Sequence, residues 1–113
     1  EITTKLRMLC QECDITLFAV SHLRRPTGTG HEEGSVTSLS QLRGSGAIGQ
    51  LSDMVLGLER NSQADDVTER HTTRVRVIKN RYSGLTGKAC ALYYDRNTGR
   101  MNEVFEEDLE EAK

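Results

Sequence analysis

The stretch from Ser38 to Asp53 constrains this chain most. It runs from a polar turn through a glycine-flanked arginine, Arg43-Gly44-Ser45-Gly46, into the short helical segment Ala47-Ile48-Gly49-Gln50-Leu51. The apolar run Met54-Val55-Leu56-Gly57-Leu58-Glu59 follows at once. A bend, a short helix and a buried-type strand in that order belong to an α/β domain. The bend itself carries one cation and several backbone N–H groups that no bulky side chain crowds. Glycine permits close backbone approach and unusual φ/ψ values, so such a bend suits phosphate oxygens.

The rest of the chain extends the α/β reading. Ile2, Leu6, Leu9, Cys10 and Cys13 recur at helical spacing and predict an amphipathic helix over residues 1–13. Asp14 ends it, and Ile15-Thr16-Leu17-Phe18-Ala19-Val20 reads as a short strand of the buried, parallel type. A helix leading into such a strand is the second half of a crossover unit, which places a further strand before Glu1. Residues 24–38 hold Pro26, Gly28, Gly30 and Gly34 with almost no hydrophobes, and read as a long loop. Met54–Glu59 is the second parallel-type strand, and residues 60–71 are polar and loop out. Thr72–Lys79 alternates at period 2, the pattern of a half-exposed strand. Turns at Ser83–Gly87 and Arg96–Arg100 separate it from a hairpin partner at Lys88–Asp95 and a last strand over Met101–Phe105. The expected fold is therefore α/β, with parallel strands followed by an antiparallel meander at the sheet edge. In open α/β sheets ligands bind at the carboxyl ends of the parallel strands.

Composition limits the classes open to a chain of 113 residues. Hydrophobic residues make up 35% and aromatics 4%, too few for a large self-sufficient core. The formal net charge of −2 is unevenly spread. Acidic residues crowd the end, and residues 106–113 read as a solvated acidic tail after a domain spanning 1–105. Arg24, Arg25, Arg43, Lys79 and Arg81 sit at strand ends and loops. Cys10, Cys13 and Cys90 are an odd number in no metal-ligand spacing, apart from a lone CxxC on a helix. They read as reduced structural thiols of a cytoplasmic protein. No run approaches the length of a membrane span.

Several residues are candidates for chemistry. His22 closes the first apolar run; it either hydrogen-bonds a phosphate oxygen or is satisfied by a backbone carbonyl. Arg24 and Arg25 open the long loop as a solvated surface or as contacts to a nucleic-acid backbone. Arg43, with Gly44 and Gly46, is the more specific phosphate-contacting candidate. Lys79 and Arg81 alternate along one strand and share a side, where two like charges repel unless an anion lies between them. A phosphate supplied by a neighbouring subunit is one such anion. The alternative is an edge strand guarded by charge. Arg60 and Tyr94 supply a guanidinium and a phenol ring able to sandwich a base. His31, His71, Asp53 and Asp66 show no metal-ligand spacing, and no metal site is expected.

Taken in order, these motifs resemble the C-terminal half of a RecA-like replicative ring helicase. The likeness is nearest to bacteriophage primase-helicases of the Twinkle type and more distant to the bacterial DnaB family. It is carried by Ala19–Pro26, His31–Gly34, Leu39–Asp53, Leu58–Asn61 and Ile78–Gly87, and covers roughly residues 15–100. The resemblance implies a partial P-loop NTPase core. In it, His22 senses the terminal phosphate, and Arg24, Arg43, Gly44 and Gly46 belong to loops that contact single-stranded DNA. Gln50 couples that contact to the nucleotide, Arg81 is a trans-acting arginine finger, and Lys79 is its companion. Arg60 and Tyr94 clasp the base. It implies ATP or dTTP with Mg²⁺, a hexameric ring, and a fused or associated primase. The chain departs from the phage relatives in having Thr27, Gly28, Thr29 and Gly30 where they carry extra lysines. No G-x-x-x-x-G-K-[ST] loop occurs, and no strand ending in a Mg²⁺-positioning aspartate precedes the first helix. Both are expected upstream of Glu1, so the chain alone is expected to be inactive as an NTPase.

The reading is a piece of an NTP-driven DNA helicase that translocates on single-stranded DNA and unwinds duplex at the replication fork. Alternatives are a RecA-like recombinase, a non-catalytic single-strand-binding module, and a small structural α/β domain with incidental charges.

Overall fold

The computed structural model describes residues 2–22, 36–39 and 47–105. Helix α1 spans Ile2–Cys13, α2 spans Ala47–Leu51 and the single turn α3 spans Val67–Arg70. Four strands follow one another in the sheet in chain order: β1 Met54–Arg60, β2 Thr72–Asn80, β3 Gly87–Asp95 and β4 Arg100–Val104.

Local chemistry accounts for the boundaries. Asp14 sits at φ +53°, and the Ile15 N–H reaches back to the Cys10 carbonyl at 3.2 Å. That is the six-to-one bond of a Schellman close, with aspartate in the left-handed position glycine usually takes. Asp66 caps α3: its carboxylate accepts the Glu69 N–H at 3.0 Å. At the β2–β3 turn, Asn80 Oδ1 accepts from the N–H groups of Tyr82 and Ser83, at 3.1 and 3.3 Å. The turn between β3 and β4 repeats the device, with Asp95 Oδ1 accepting from Asn97 N at 2.9 Å and Gly99 at φ +73°.

Three expectations differ from the structure. Among the described residues all three strand pairs, β1–β2, β2–β3 and β3–β4, are antiparallel, and none is the parallel pairing expected of Met54–Glu59. The Ile15–Val20 run forms no strand, and it leaves Phe18 89% and Val20 96% exposed. A parallel strand has no hairpin to hold it and needs sheet neighbours covered on both faces. The described residues supply none for this run. What forms instead is the local, hairpin-connected meander. The polar segment expected as loop over 60–71 also contains α3.

The sheet has one covered and one open face. Residues directly opposite in an antiparallel ladder share a face. The register therefore groups Gly57, Glu59, Arg74, Thr72 and Ala91 on one side. Here lie Ala91 (3% exposed), Thr72 (0%) and Glu59 (4%). Leu56 and Leu58 belong to the other side and stay 53% and 64% exposed. The low apolar content of the chain is reflected in this sparse core.

The covered face is built partly from polar groups. Glu59 accepts bonds from the Thr37 N–H and hydroxyl, both at 2.7 Å, and from Arg76 Nε and Nη2 at 2.8 and 3.2 Å. Thr37 thereby lies flat on β1. Gly57 makes room for it: a Cβ there would collide with the Thr37 hydroxyl and come within 2.8 Å of Ile78 Cδ1. This clasp anchors residues 36–38, the link between the two segments that lie outside the described residues.

Candidate functional site

Lys79 and Arg81 end up beside the C-terminal end of α2. Lys79 Nζ donates to the carbonyls of Gly49 and Gln50 at 2.7 and 3.1 Å. Arg81 Nη2 donates to the same Gln50 carbonyl at 3.0 Å, while its Nη1 pairs with Asp53 Oδ1 at 2.8 Å. A bulge brings this about. The β1–β2 register shifts between Val55 and Leu56, so that Lys79 lies opposite Val55 and Asn80 opposite Met54. Two like charges are thus reconciled within the chain, by terminal carbonyls of a helix and one carboxylate.

A third cation joins from α1. Arg7 Nη1 lies 2.7 Å from Asp53 Oδ2 and 3.5 Å from the Leu51 carbonyl. Asp53 therefore divides its two oxygens between Arg7 and Arg81. The hydrogen bond from Arg7 holds its carboxyl below the usual range against partial desolvation, with the charges of Arg81 and Lys79 adding to the effect. Arg81 remains 41% exposed at its side chain. A guanidinium has five N–H donors. Asp53 and Gln50 engage both terminal nitrogens, and donors are left to face solvent.

The remaining candidates separate into three groups. Gln50 takes part through its carbonyl, with its side chain exposed. His22 lies in an exposed stretch, and among the described residues no hydrogen bond ties its ring to the Lys79–Arg81 cluster. Arg24, Arg25, Arg43, Gly44 and Gly46 lie outside the described residues. Arg60 and Tyr94 stand at the far end of the sheet. The register Arg60↔Thr73↔Leu92 puts Arg60 on the same face as Leu92, and hence as Tyr94 two residues on. The two are not neighbours, since β2 runs between their strands. Arg60 Nε donates to the Arg70 carbonyl at 2.7 Å, and Tyr94 is 43% exposed.

Near this end His71 meets Tyr93 edge-on, with centroids 6.4 Å apart and planes at 84°. Desolvation lowers the His71 pKa below its ordinary value, and the charges of Arg96, Arg60 and Arg70 lower it further. Among the described residues no group of three or more His, Cys, Asp or Glu side chains is placed to hold a metal ion. Cys10, Cys13 and Cys90 are free. No described helix is long and apolar enough to cross a membrane.

Sequence reasoning missed Asp53, Arg7 and the Glu59–Thr37–Arg76 clasp. Glu59 left a trace: an acid closing an apolar run, with arginines alternating on the strand beside it. Arg7 and Asp53 left none, since they lie 46 positions apart.

Comparison with known proteins matches the chain to a family. The family model described as DnaB-like helicase C terminal domain matches residues 1–103. A protein named DNA helicase/primase from Enterobacteria phage T3 is 41% identical over 99 residues, which is 87% of this chain and 17% of that protein. A protein named Replicative DNA helicase DnaB from Treponema pallidum (strain Nichols) is 42% identical over 60 residues, which is 53% of this chain and 13% of that protein. The chain thus spans less than a fifth of the length of either relative. Its ordered motifs and the matched residues make it a member of the DnaB-like helicase C-terminal domain family.

Proposed function

We propose that this chain works as the C-terminal part of the motor of an NTP-driven replicative DNA helicase, moving along single-stranded DNA within a hexameric ring. In this reading Ile15–Val20 and β1 lie in a parallel RecA-like core, and the open face around Leu56 and Leu58 packs within that larger motor. The observation that carries the reading is the convergence of Lys79 and Arg81 on Gly49 and Gln50. The helix bearing these carbonyls begins at Ala47, directly after Arg43-Gly44-Ser45-Gly46 in the sequence. In this reading movement of that segment along a DNA backbone is passed to α2, and α2 carries the partners of both cations.

The residues present fit a nucleotide phosphate approaching from outside the chain, because Arg81 keeps donors in solvent. ATP or dTTP is the substrate class. When bound, Mg²⁺ neutralises phosphate charge; the described residues offer it no ligand cluster. Arg81 then stabilises negative charge developing on the transferred phosphoryl group, with Lys79 beside it. His22 reports the terminal phosphate, and Arg24, Arg25, Arg43, Gly44 and Gly46 grip the strand.

Arg60 and Tyr94 clasp the base from either side. Two strand spacings and an offset of two residues separate their backbones by about 12 Å, and a stacked ring between two planar groups needs about 7 Å. Long side chains close the difference. A primase, fused or associated, is the partner this reading implies.

The deciding experiment is nucleotide hydrolysis by the whole natural protein carrying Arg81→Ala, with and without single-stranded DNA. DNA-stimulated turnover is expected to fall by about 10³-fold or more with nucleotide binding retained, the range found for arginine fingers. Near-normal turnover would sink the finger assignment.

A further inference from the structure

Asp53 holds Arg81 at two points. The Arg81 backbone N–H donates to the Asp53 carbonyl at 2.9 Å, and the Arg81 guanidinium pairs with the Asp53 carboxylate at 2.8 Å. Root and tip of one side chain are thus fixed by one residue. The carboxylate cannot swing freely, because Arg7 holds its other oxygen at 2.7 Å. The Gln50 carbonyl takes a second terminal nitrogen of Arg81. Such a bracket orients a planar guanidinium and directs its unused donors outward.

Stability is a poor explanation for this arrangement. The Asp53 and Arg81 side chains are 36% and 41% exposed, and pairs so accessible to water are screened and contribute little to folding. Orientation is what the geometry supplies. A guanidinium that must meet a phosphate across a subunit boundary loses less rotamer freedom if it is already held. Asp53 also follows α2 by two residues, so any movement of that helix is passed to Arg81.

We infer that Asp53 is a positioning residue for the arginine finger, with Arg7 bracing it from α1. The inference rests on Arg81 acting as that finger. It goes further in naming the group that aims Arg81 and links its aim to the position of α2.

The test is steady-state hydrolysis by the whole natural protein with saturating single-stranded DNA. Asp53→Asn is expected to lower kcat by about tenfold or more, the scale of one lost charge-assisted hydrogen bond. The KM for nucleotide should stay within about twofold, which a loss of nucleotide binding does not produce, and an unchanged melting midpoint excludes a loss of folded protein. Asp53→Asn combined with Arg81→Ala should be no slower than Arg81→Ala alone. Asp53→Glu keeps the charge but displaces the guanidinium, and should also lose kcat while melting like the parent. Arg7→Ala frees the other oxygen of Asp53, and should cost less turnover than Asp53→Asn at a similar melting midpoint. Normal kcat for Asp53→Asn and Asp53→Glu overturns the inference while leaving the finger intact, provided Arg81→Ala is inactive. Additive losses in the double variant overturn it as well. A fully active Arg81→Ala removes the finger itself, and the inference with it.

Discussion

At the scale of residues, Glu59 shows how a charge survives burial. Desolvation pushes its carboxyl upward, yet the bonds from Arg76 and from the Thr37 N–H and hydroxyl together outweigh it and leave the pKa below the ordinary value. Removing one member of such a set leaves the others buried and unpaired. Glu59→Ala is expected to destabilise the protein by about 3–5 kcal/mol, read as a lower denaturant midpoint in urea unfolding. The sign with pH follows from the lowered native pKa. The unfolded state takes up the proton first, so the contribution is complete above the ordinary glutamate range and is lost as pH falls toward the native value. Stability should therefore drop as pH falls below the ordinary glutamate range, and the drop should be smaller in Glu59→Gln. Much of this was hidden in the sequence. Thr37 is one hydroxyl in a polar stretch, and only the approach permitted by Gly57 turns it into a partner.

At the scale of elements, the local signals were largely readable. The helix over 1–13, the short helix at 47–51 and the meander strands appear within a residue or two of their expected ends, because capping, turn chemistry and period-2 alternation act over a few residues. Turn glycines can be tested directly. Gly99 sits at φ +73° with open space around its Cα, and its N–H closes the β3–β4 turn on the Asp95 carbonyl at 2.7 Å. Gly99→Ala meets no clash and should cost only the left-handed backbone, about 1–2 kcal/mol by thermal or chemical unfolding. The Ile15–Val20 run shows the limit of such reading. Its composition states that it wants burial between neighbours, but a strand forms only where the neighbours are present. The short helix α3 was lost within a polar segment, because one turn capped by Asp66 has no periodicity to detect.

At the scale of the molecule, the sheet carries its polar clasp on one face and its exposed leucines on the other. Leu58 is 64% exposed, so Leu58→Lys should change unfolding free energy by no more than about 0.5 kcal/mol. The same change should reduce binding of an apolar-surface dye by the isolated chain, measured by fluorescence titration. A large loss of stability would mean that this face is packed after all. In the whole protein, Arg43→Ala should weaken single-strand binding several-fold at moderate salt. It should also reduce the slope of log affinity against log salt by about 0.7, as expected for one lost phosphate contact on a single strand.

Residue type and short-range spacing were enough for the α/β character, for α1, α2 and the four meander strands, and for the cations with glycine-flanked motifs that mark the family. Those properties depend on residue type and on neighbours a few positions away, where steric and hydrogen-bonding preferences are strong. Which partner each charge meets depends on how the elements pack. Asp53 stands between Arg7 and Arg81 because a bulge in β2, the end of α2 and one side of α1 meet at one point. Electrostatic pairing acts through space, over a few ångströms. Arg7 and Asp53 lie 46 positions apart in the chain, and nothing in the order of the residues between them records that distance.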